Sequence, residues 1–519
     1  MAEAVVIGAG LGGLAAAIRL AHAGHHVTVF EQAPALGGKL GRFERDGFAF
    51  DTGPSLLTWP DVWRDLFAQT GEPLETLTDI VSVDPAFRYR FPDATVLDVP
   101  NASPAGLAQA LDTTLGPGTG RQWSRFMSRA ERIWEAARGP FLTSPLDGPA
   151  SLVRQARRID DLVTIAPWRS LRDMGSHYLR DPRLRMVLDR YATYAGSDPR
   201  RAPAALATIP YVEQTFGAWY LPGGLHRLAE LLGERAQALG VSIRTGSDVR
   251  EVMVKDVPGP RGWRAVGVRL ADRTKVHADL VVANSDAAHL YHDLLPGPPG
   301  ELGRRRLART VPSLSGFVLL LALRGRTPGL RHHTVLFPRD YDEEFDSVFG
   351  TGGHRGVCRP AWDPTVYIAA PDDPEQRPDD EHESWFVLVN APRHTPGRPS
   401  LGVNWNQPGL AERYADRILD VMAERGHDVR ERLLWREIRT PATLERDTRS
   451  RGGAIYGSSS NGARSAFLRA ANASNVEQLF LAGGSAHPGG GMPLVGLSAE
   501  IVARLVAAGP DPATAPVDP

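Results

Sequence analysis

Residues Gly8-Ala9-Gly10-Leu11-Gly12-Gly13 fit the pattern G-x-G-x-x-G. Each glycine of that pattern has a chemical use. Gly8 permits a tight turn, Gly10 lets the backbone approach a pyrophosphate, and Gly13 lets a helix sit close against a strand. A helix that starts there offers free N–H groups and the positive end of its dipole to phosphates. Glu31 lies 18 residues beyond Gly13, where a carboxylate accepts hydrogen bonds from a ribose hydroxyl pair. Its charge would repel a 2′-phosphate, which argues against NADP. The positioning elements are legible. Val5-Val6-Ile7 reads as a strand, Leu14 to Leu20 as a strong helix former, Gly24 as its stop, and Val27 to Phe30 as a second strand. The alternative is a glycine turn in a generic βαβ unit. Strand, helix, second strand and acid together favour a dinucleotide.

The next residues separate FAD from NAD. After Gln32, Gly37-Gly38-Lys39 adds a second glycine pair followed by a base, suited to phosphate and ribityl oxygens of a longer cofactor. Phe48 to Ser55 reads as a strand running into a turn, Asp51-Thr52-Gly53-Pro54-Ser55. Either stretch alone is a loop with a capping glycine. Together they favour FAD, with Gln32, Gly38, Lys39, Pro54 and Ser55 beside Gly8 to Gly13 and Glu31 as candidate contacts.

Near the C-terminus a strand, Leu479 to Ala482, runs into Gly483-Gly484-Ser485-Ala486-His487-Pro488-Gly489-Gly490-Gly491-Met492-Pro493. Pro493 suits the first turn of the helix that follows. That helix N-terminus is aimed at the loop and would stabilise negative charge near N1 and O2 of a flavin. Gly483, Gly484, Met492 and Pro493 are the candidate contacts, and the glycines allow close backbone approach. His487 is the titratable residue of the loop and a candidate participant; the alternative is a histidine held by packing before Pro488.

Composition excludes several other functions. The chain has 519 residues, 23% charged and 42% hydrophobic, which favours two globular domains over a disordered or fibrous chain. With 59 basic and 60 acidic residues the formal charge is −1, so a nucleic-acid-binding polycation is not expected. One cysteine, Cys358, rules out an intrachain disulfide and a cysteine-rich metal site. His332-His333 has no third ligand nearby, and the acid-rich stretch 371–383 reads as a solvated loop, so no metal site is expected. There is no H-E-x-x-H, G-x-S-x-G or P-loop motif. No signal-peptide pattern follows Met1, and the longest apolar run, Phe317 to Leu323, is well short of the roughly 20 residues that span a bilayer. The expected location is the cytoplasm.

The middle of the chain is less informative. Residues 60–210 read as largely helical. Residues 121–190 hold 14 Arg, no Lys and eight acids, with Trp123, Phe126, Trp134, Phe141 and Trp168 interleaved. Such a stretch suits an anionic membrane surface or is a solvated arginine-rich face. Beyond it, Leu225 to Leu239 has helical spacing. Val241 to Ala283 reads as a strand, a meander and a buried strand, and Leu314 to Leu321 as a further buried strand.

Through Gly38, through Asp51-Thr52-Gly53-Pro54 and through the Gly483–Pro493 block, the chain resembles the flavin-dependent carotenoid desaturases of the bacterial phytoene desaturase type. These lie within the wider amine-oxidase-like flavoproteins. The blocks occur in the right order along most of the chain, and the likeness is weakest in the middle. The resemblance implies an α/β fold. Its Rossmann-like FAD-binding domain would be drawn from 1–90, 217–300 and 441–519, and its mixed α+β substrate domain, facing a membrane, from 91–216 and 301–440. It implies FAD, with Val249 contacting adenine through its backbone. It also implies an apolar carotenoid substrate, quinone or oxygen as electron acceptor, and peripheral association with the cytoplasmic membrane. Many of the wider flavoproteins carry an acid where Gly484 stands; carotenoid desaturases tend to lack it. The Gly483–Pro493 form looks more like enzymes of late carotenoids than like phytoene desaturase. The implied reaction is desaturation near a chain end, such as 3,4-desaturation of an acyclic or 1-hydroxylated carotenoid. A hydride would go to the flavin and a neighbouring proton would be lost. Alternatives are a terminal-methyl oxidase or carotenoid isomerase of the same family, an amine oxidase, and a non-enzymatic lipid chaperone on a flavin fold. The intact Gly8, Gly10, Gly13 and Glu31 count against the last.

Overall fold

Alternation along Glu3–Ile7 sets the first layer. Ala4 and Val6 join one hydrophobic cluster, while Val5 and Ile7 join another on the opposite face. A strand buried on both faces belongs inside a covered parallel sheet. The computed structural model, which describes residues 1–146, 164–259, 261–462 and 465–509, places it there. The sheet runs Ser242–Arg244, His26–Phe30, Glu3–Ile7, Leu280–Ala283, Leu479–Leu481, every pair parallel. One face is covered by the helices Leu11–His22, His226–Ala238 and Met492–Ala507. The other is covered by the antiparallel meander Val249–Asp256, Trp263–Leu270, Lys275–His277. Leu14 to Ile18 are fully buried, and the run of three alanines lets the first helix lie close to the sheet.

A second sheet has seven strands in the order Leu433–Arg439, Ser315–Arg324, His382–Ala391, Val366–Ala369, His333–Leu336, Phe87–Arg90, Val96–Val99. Ser315–Arg324 repeats the alternation. Phe317, Leu319, Leu321 and Leu323 face the helix Leu410–Glu424, whereas Val318, Leu320 and Ala322 meet Phe48 and Phe50 of the flavin-side segment.

Among the described residues, 60–210 are largely helical as the sequence suggests, with one exception that moves a domain boundary: Phe87–Arg90 and Val96–Val99 form a hairpin, and Phe87–Arg90 pairs in parallel with His333–Leu336. Residues 87–90 therefore sit in the second sheet, across the expected boundary at 90. The local signal is weak because the strands are short and arginine-interleaved; a partner more than 240 residues away completes them. The arginine-rich segment also divides. In the helix Thr119–Ala137, Trp123, Phe126 and Trp134 are core residues, while Arg121, Arg125, Arg132 and the following Arg138 are exposed. Trp168 is exposed as well; Arg154, Arg157 and Arg158 lie outside the described residues. Among the described residues no helix is long and apolar enough to cross a membrane.

The acidic stretch 371–383 is only partly solvated. Asp373 is buried and accepts hydrogen bonds from Tyr220 Oη (2.7 Å) and the Gly223 N–H (2.7 Å). Glu383 is buried too and accepts from the Thr327 N–H.

Candidate functional site

The C-terminal ends of the central parallel strands open into one cavity of about 850 Å3. Strand order reverses between Glu3–Ile7 and Leu280–Ala283, the position at which open α/β sheets bind ligands. Gly8, Gly10, Leu11 and Gly12 line the cavity. Gly8 has φ +97°, a left-handed conformation that favours glycine. Gly13 faces away from the cavity and brings the helix onto the strand: a Cβ there would lie 2.1 Å from the Gly8 carbonyl oxygen. Ala9 is also outside the lining; its N–H donates to Glu31 Oε2 at 2.7 Å. No side chain caps the helix Leu11–His22, so its N-terminal dipole faces the cavity.

Glu31 is buried at the cavity wall, with Oε1 accepting from the Ala33 N–H at 2.8 Å. Each carboxylate oxygen keeps a further lone pair for a ribose hydroxyl. Beside it Gln32 accepts from Arg449 Nε at 2.7 Å and donates to the Asp447 carbonyl at 3.0 Å. Val249 is buried and lines the same end. Further along, Gly38, Lys39, Pro54 and Ser55 also line the cavity. Lys39 Nζ donates to the carbonyls of Ala454 (3.1 Å) and Ile455 (2.6 Å), and burial lowers its pKa. Asp51, beside them in sequence, does not line the cavity. It accepts the N–H groups of Leu225 and His226 and so anchors the helix His226–Ala238; burial pushes its pKa up to about 6.

Two residues that bind this region together escape sequence reasoning. Asn284 follows the buried strand Leu280–Ala283, and its amide occupies the room that four glycines leave open. Cβ atoms on Gly10, Gly12, Gly13 and Gly483 would lie 2.9, 2.8, 2.9 and 2.4 Å from its side-chain N or O. A polar residue ending an apolar run was the one available signal. Arg469 is buried and donates to the carbonyls of Tyr456 (2.9 Å), Gly484 (3.0 Å) and Ser458 (2.8 Å), so it pins the glycine loop; burial lowers its pKa to about 10. Nothing in its local sequence marks it.

Gly483, Gly484, Met492 and Pro493 all face the cavity, and no side chain caps the helix Met492–Ala507 at Gly491. His487 lines the cavity but is tied into the protein. It is buried, its Nε2 lies 3.0 Å from the Ser144 carbonyl, and its own carbonyl accepts from Asn472 Nδ2 and Ser498 Oγ. Burial pushes its pKa down to about 4, so the neutral ring donates Nε2–H to Ser144. The unfolded chain protonates this histidine near pH 6.5 and the folded chain only near pH 4, so stability falls with pH between those values. The expected loss is about 3 kcal/mol by pH 4. Thermal melts of the wild type and His487→Gln from pH 8 to pH 4 check this: the two curves should converge toward the acid end.

His333 is buried and His332 half-buried, their rings 4.4 Å apart, and burial holds both pKa values well down, that of His332 at about 4. His333 Nδ1 meets Tyr367 Oη at 2.8 Å, which meets Ser55 Oγ at 2.8 Å. Among the described residues no group of three or more His, Cys, Asp or Glu is placed to hold a metal.

The residues present fit FAD. A glycine cradle that added Cβ atoms would fill, an uncapped helix N-terminus, a buried acid, and a second uncapped helix N-terminus at the far glycine loop suit its pyrophosphate, ribose and ring. This fold and site define an FAD-dependent oxidoreductase. A family model described as flavin containing amine oxidoreductase matches residues 11–382. The chain is 33% identical over 508 residues to 4,4'-diapolycopene oxygenase of Methylomonas sp, covering 97% of this chain and 98% of that one. It is 33% identical over 514 residues to hydroxyneurosporene desaturase of Rubrivivax gelatinosus, covering 97% and 93%. Wild-type putrescine oxidase bound to putrescine shares the fold, with TM-score 0.62 at 15% identity over 98% of this chain and 99% of that one. The chain belongs to the flavin-containing amine oxidoreductase family and, with these relatives, to its FAD-dependent carotenoid desaturase branch.

Proposed function

We propose that this protein is a carotenoid-modifying enzyme that introduces a C=C bond near the end of an acyclic carotenoid, as in 3,4-desaturation of a lycopene-type or 1-hydroxylated substrate. One observation carries this reading: the nucleotide cradle opens without a break into a space walled by Trp59, Trp134, Ile209, Val318, Phe386 and Leu388. A polyene offers no polar group along its length. Its binding therefore rests on burial of apolar surface, about 25 cal/mol per Å2. Bound FAD supplies the hydride acceptor.

The chain's own residues then bind, orient and exclude water. Gly8, Gly10, Leu11, Gly12 and the first helix hold the pyrophosphate. Glu31 and Gln32 hold the adenosine ribose, and the Val249 backbone meets the adenine. Gly38, Lys39, Pro54, Ser55, Gly483, Gly484, Met492 and Pro493 surround the flavin end, while Ala9 and Gly13 shape the turn. His487, neutral and tied to Ser144, positions the glycine loop. In this division the five-stranded sheet serves FAD and the seven-stranded sheet serves the substrate. Quinone or oxygen takes the electrons. The exposed arginines and Trp168 support peripheral contact with an anionic membrane.

A terminal-methyl oxidase is the second reading, favoured by relatives named oxygenases. The amine-oxidase reading is disfavoured because Tyr194 and Tyr367 at the cavity wall already face a protein cation, Arg190. A substrate ammonium there would meet like charge. Incubating the FAD-loaded protein in liposomes with lycopene-type and 1-hydroxylated carotenoids tests the assignment. Loss of two hydrogens with a red-shifted polyene spectrum is the expected result. Gain of oxygen selects the oxidase, and no change with any carotenoid removes the reading.

A further inference from the structure

Arg190 and Glu213 are charged residues in the wall of the cavity, whose cofactor end carries charged residues of its own, and both are more than nine-tenths buried, at 6% and 4% exposure. The helix Pro182–Arg190 ends with Arg190, and the helix Thr208–Phe216 carries Glu213. Glu213 is well supplied: Tyr191 Oη donates to Oε1 at 2.5 Å and Tyr194 Oη to Oε2 at 3.0 Å. Arg190 is not. A guanidinium has five N–H donors. Among the described residues its one hydrogen bond runs from Nη1 to Tyr89 Oη at 3.1 Å. Its other surroundings are ring faces, with Phe87 at 4.5 Å, Tyr194 at 5.0 Å and Tyr367 at 5.8 Å from the guanidinium carbon. Cation–π contact offsets part of the cost of burying the charge. It forms no hydrogen bond with the remaining in-plane donors of a residue that lines the cavity.

The place matters as much as the deficit. Tyr367, against the guanidinium, hydrogen-bonds Ser55 of the segment that we assign to the flavin. The charge therefore stands next to the reacting end of the cavity. A hydrocarbon chain lying there would leave buried donors unpaired, which disfavours it. An oxygen acceptor would remove that cost, and a hydroxyl would also find the Glu213 carboxylate within the same cluster. We infer that Arg190, supported by Glu213 and Tyr194, recognises a hydroxyl or carbonyl oxygen on the end group of the carotenoid, making it the residue that selects oxygenated over hydrocarbon ends. This rests on the carotenoid reading above and narrows its substrate class.

The test compares matched carotenoids that differ only at the end group, one hydrocarbon and one bearing a terminal oxygen. Holoenzymes of the wild type, Arg190→Met and Arg190→Lys are used. Two quantities are read: the ratio of kcat/KM values, split into KM and kcat, and the ratio of dissociation constants by quenching of tryptophan fluorescence without turnover. The wild type should favour the oxygenated end by on the order of tenfold to a hundredfold, mostly in KM. That preference should collapse in Arg190→Met and survive in part in Arg190→Lys, with flavin content unchanged. Equal handling of both ends by the wild type overturns the inference, as does a preference that persists in Arg190→Met. If Arg190→Met does not fold, Arg190→Lys and Tyr194→Phe decide: a weakened preference in both supports the inference, and an unchanged one overturns it. Conversion of carotenoids without discrimination sinks only this inference; failure to bind or convert any carotenoid sinks the underlying assignment too.

Discussion

Gly13→Val should give a protein that retains no FAD and melts at a clearly lower temperature. A Cβ at position 13 would lie 2.1 Å from the Gly8 carbonyl oxygen, with Asn284 Nδ2 and Cβ at 2.9 and 3.0 Å. The first of these neighbours is backbone and cannot rotate away. The helix Leu11–His22 must therefore lift from the sheet, against a core of fully buried Leu14, Ala15, Ala16, Ala17 and Ile18. Overpacking of this kind costs typically 1–3 kcal/mol, and about 3 or more is expected here because both partners are rigid. Lifting the helix also moves its N-terminus from the pyrophosphate position, so flavin and stability are lost together. Gly139→Ala is the control: nothing lies within 4 Å of a Cβ there. The flavin-to-protein absorbance ratio and a thermal melt of both variants read the result. A flavin-loaded Gly13→Val protein would show that close helix–strand contact is not what builds the cradle.

Glu31→Gln ranks second. The two carboxylate oxygens accept the N–H groups of Ala9 at 2.7 Å and Ala33 at 2.8 Å. An amide offers one acceptor, so its NH2 must face a backbone N–H in a buried site. Losing a charge-assisted hydrogen bond and leaving a donor unpaired costs about 2–3 kcal/mol. The ribose loses an ionised acceptor at the same time. FAD affinity should fall by on the order of a hundredfold, measured by titrating the apoprotein with FAD. Glu31→Asp keeps the charge but is one methylene shorter and should lie between the two. An unchanged dissociation constant in Glu31→Gln would place the ribose elsewhere.

Most of the cofactor side could be read from the chain because its signals are local. The glycine turn, the helix after it, the strand ending at Glu31 and the Gly483–Pro493 loop each depend on residues within a few positions of one another. Backbone conformation and alternating burial constrain such segments without distant partners. Of the residues expected at the cofactor, all but Ala9 and Gly13 line the same cavity, and those two shape the turn behind it.

Other features were set by contacts far apart in sequence. The hairpin at Phe87–Arg90 exists because His333–Leu336 offers a parallel edge. Trp134 of the arginine-rich helix points inward against Trp59 and Phe216, and local composition cannot distinguish that core from a membrane face. Asn284 and Arg469 carry no motif; they matter because folding brings four glycines around one and three loop carbonyls around the other.

The cradle that we assign to the nucleotide was legible in the chain, because phosphate recognition uses backbone turns, helix ends and one acid at fixed short spacings. The other end of the cavity is built by packing alone, because Arg190, Glu213 and Tyr367 come from three separate elements. A charge cluster inside an apolar wall is a property of the packed interior. Its cost and its use arise only once burial has removed water from those groups.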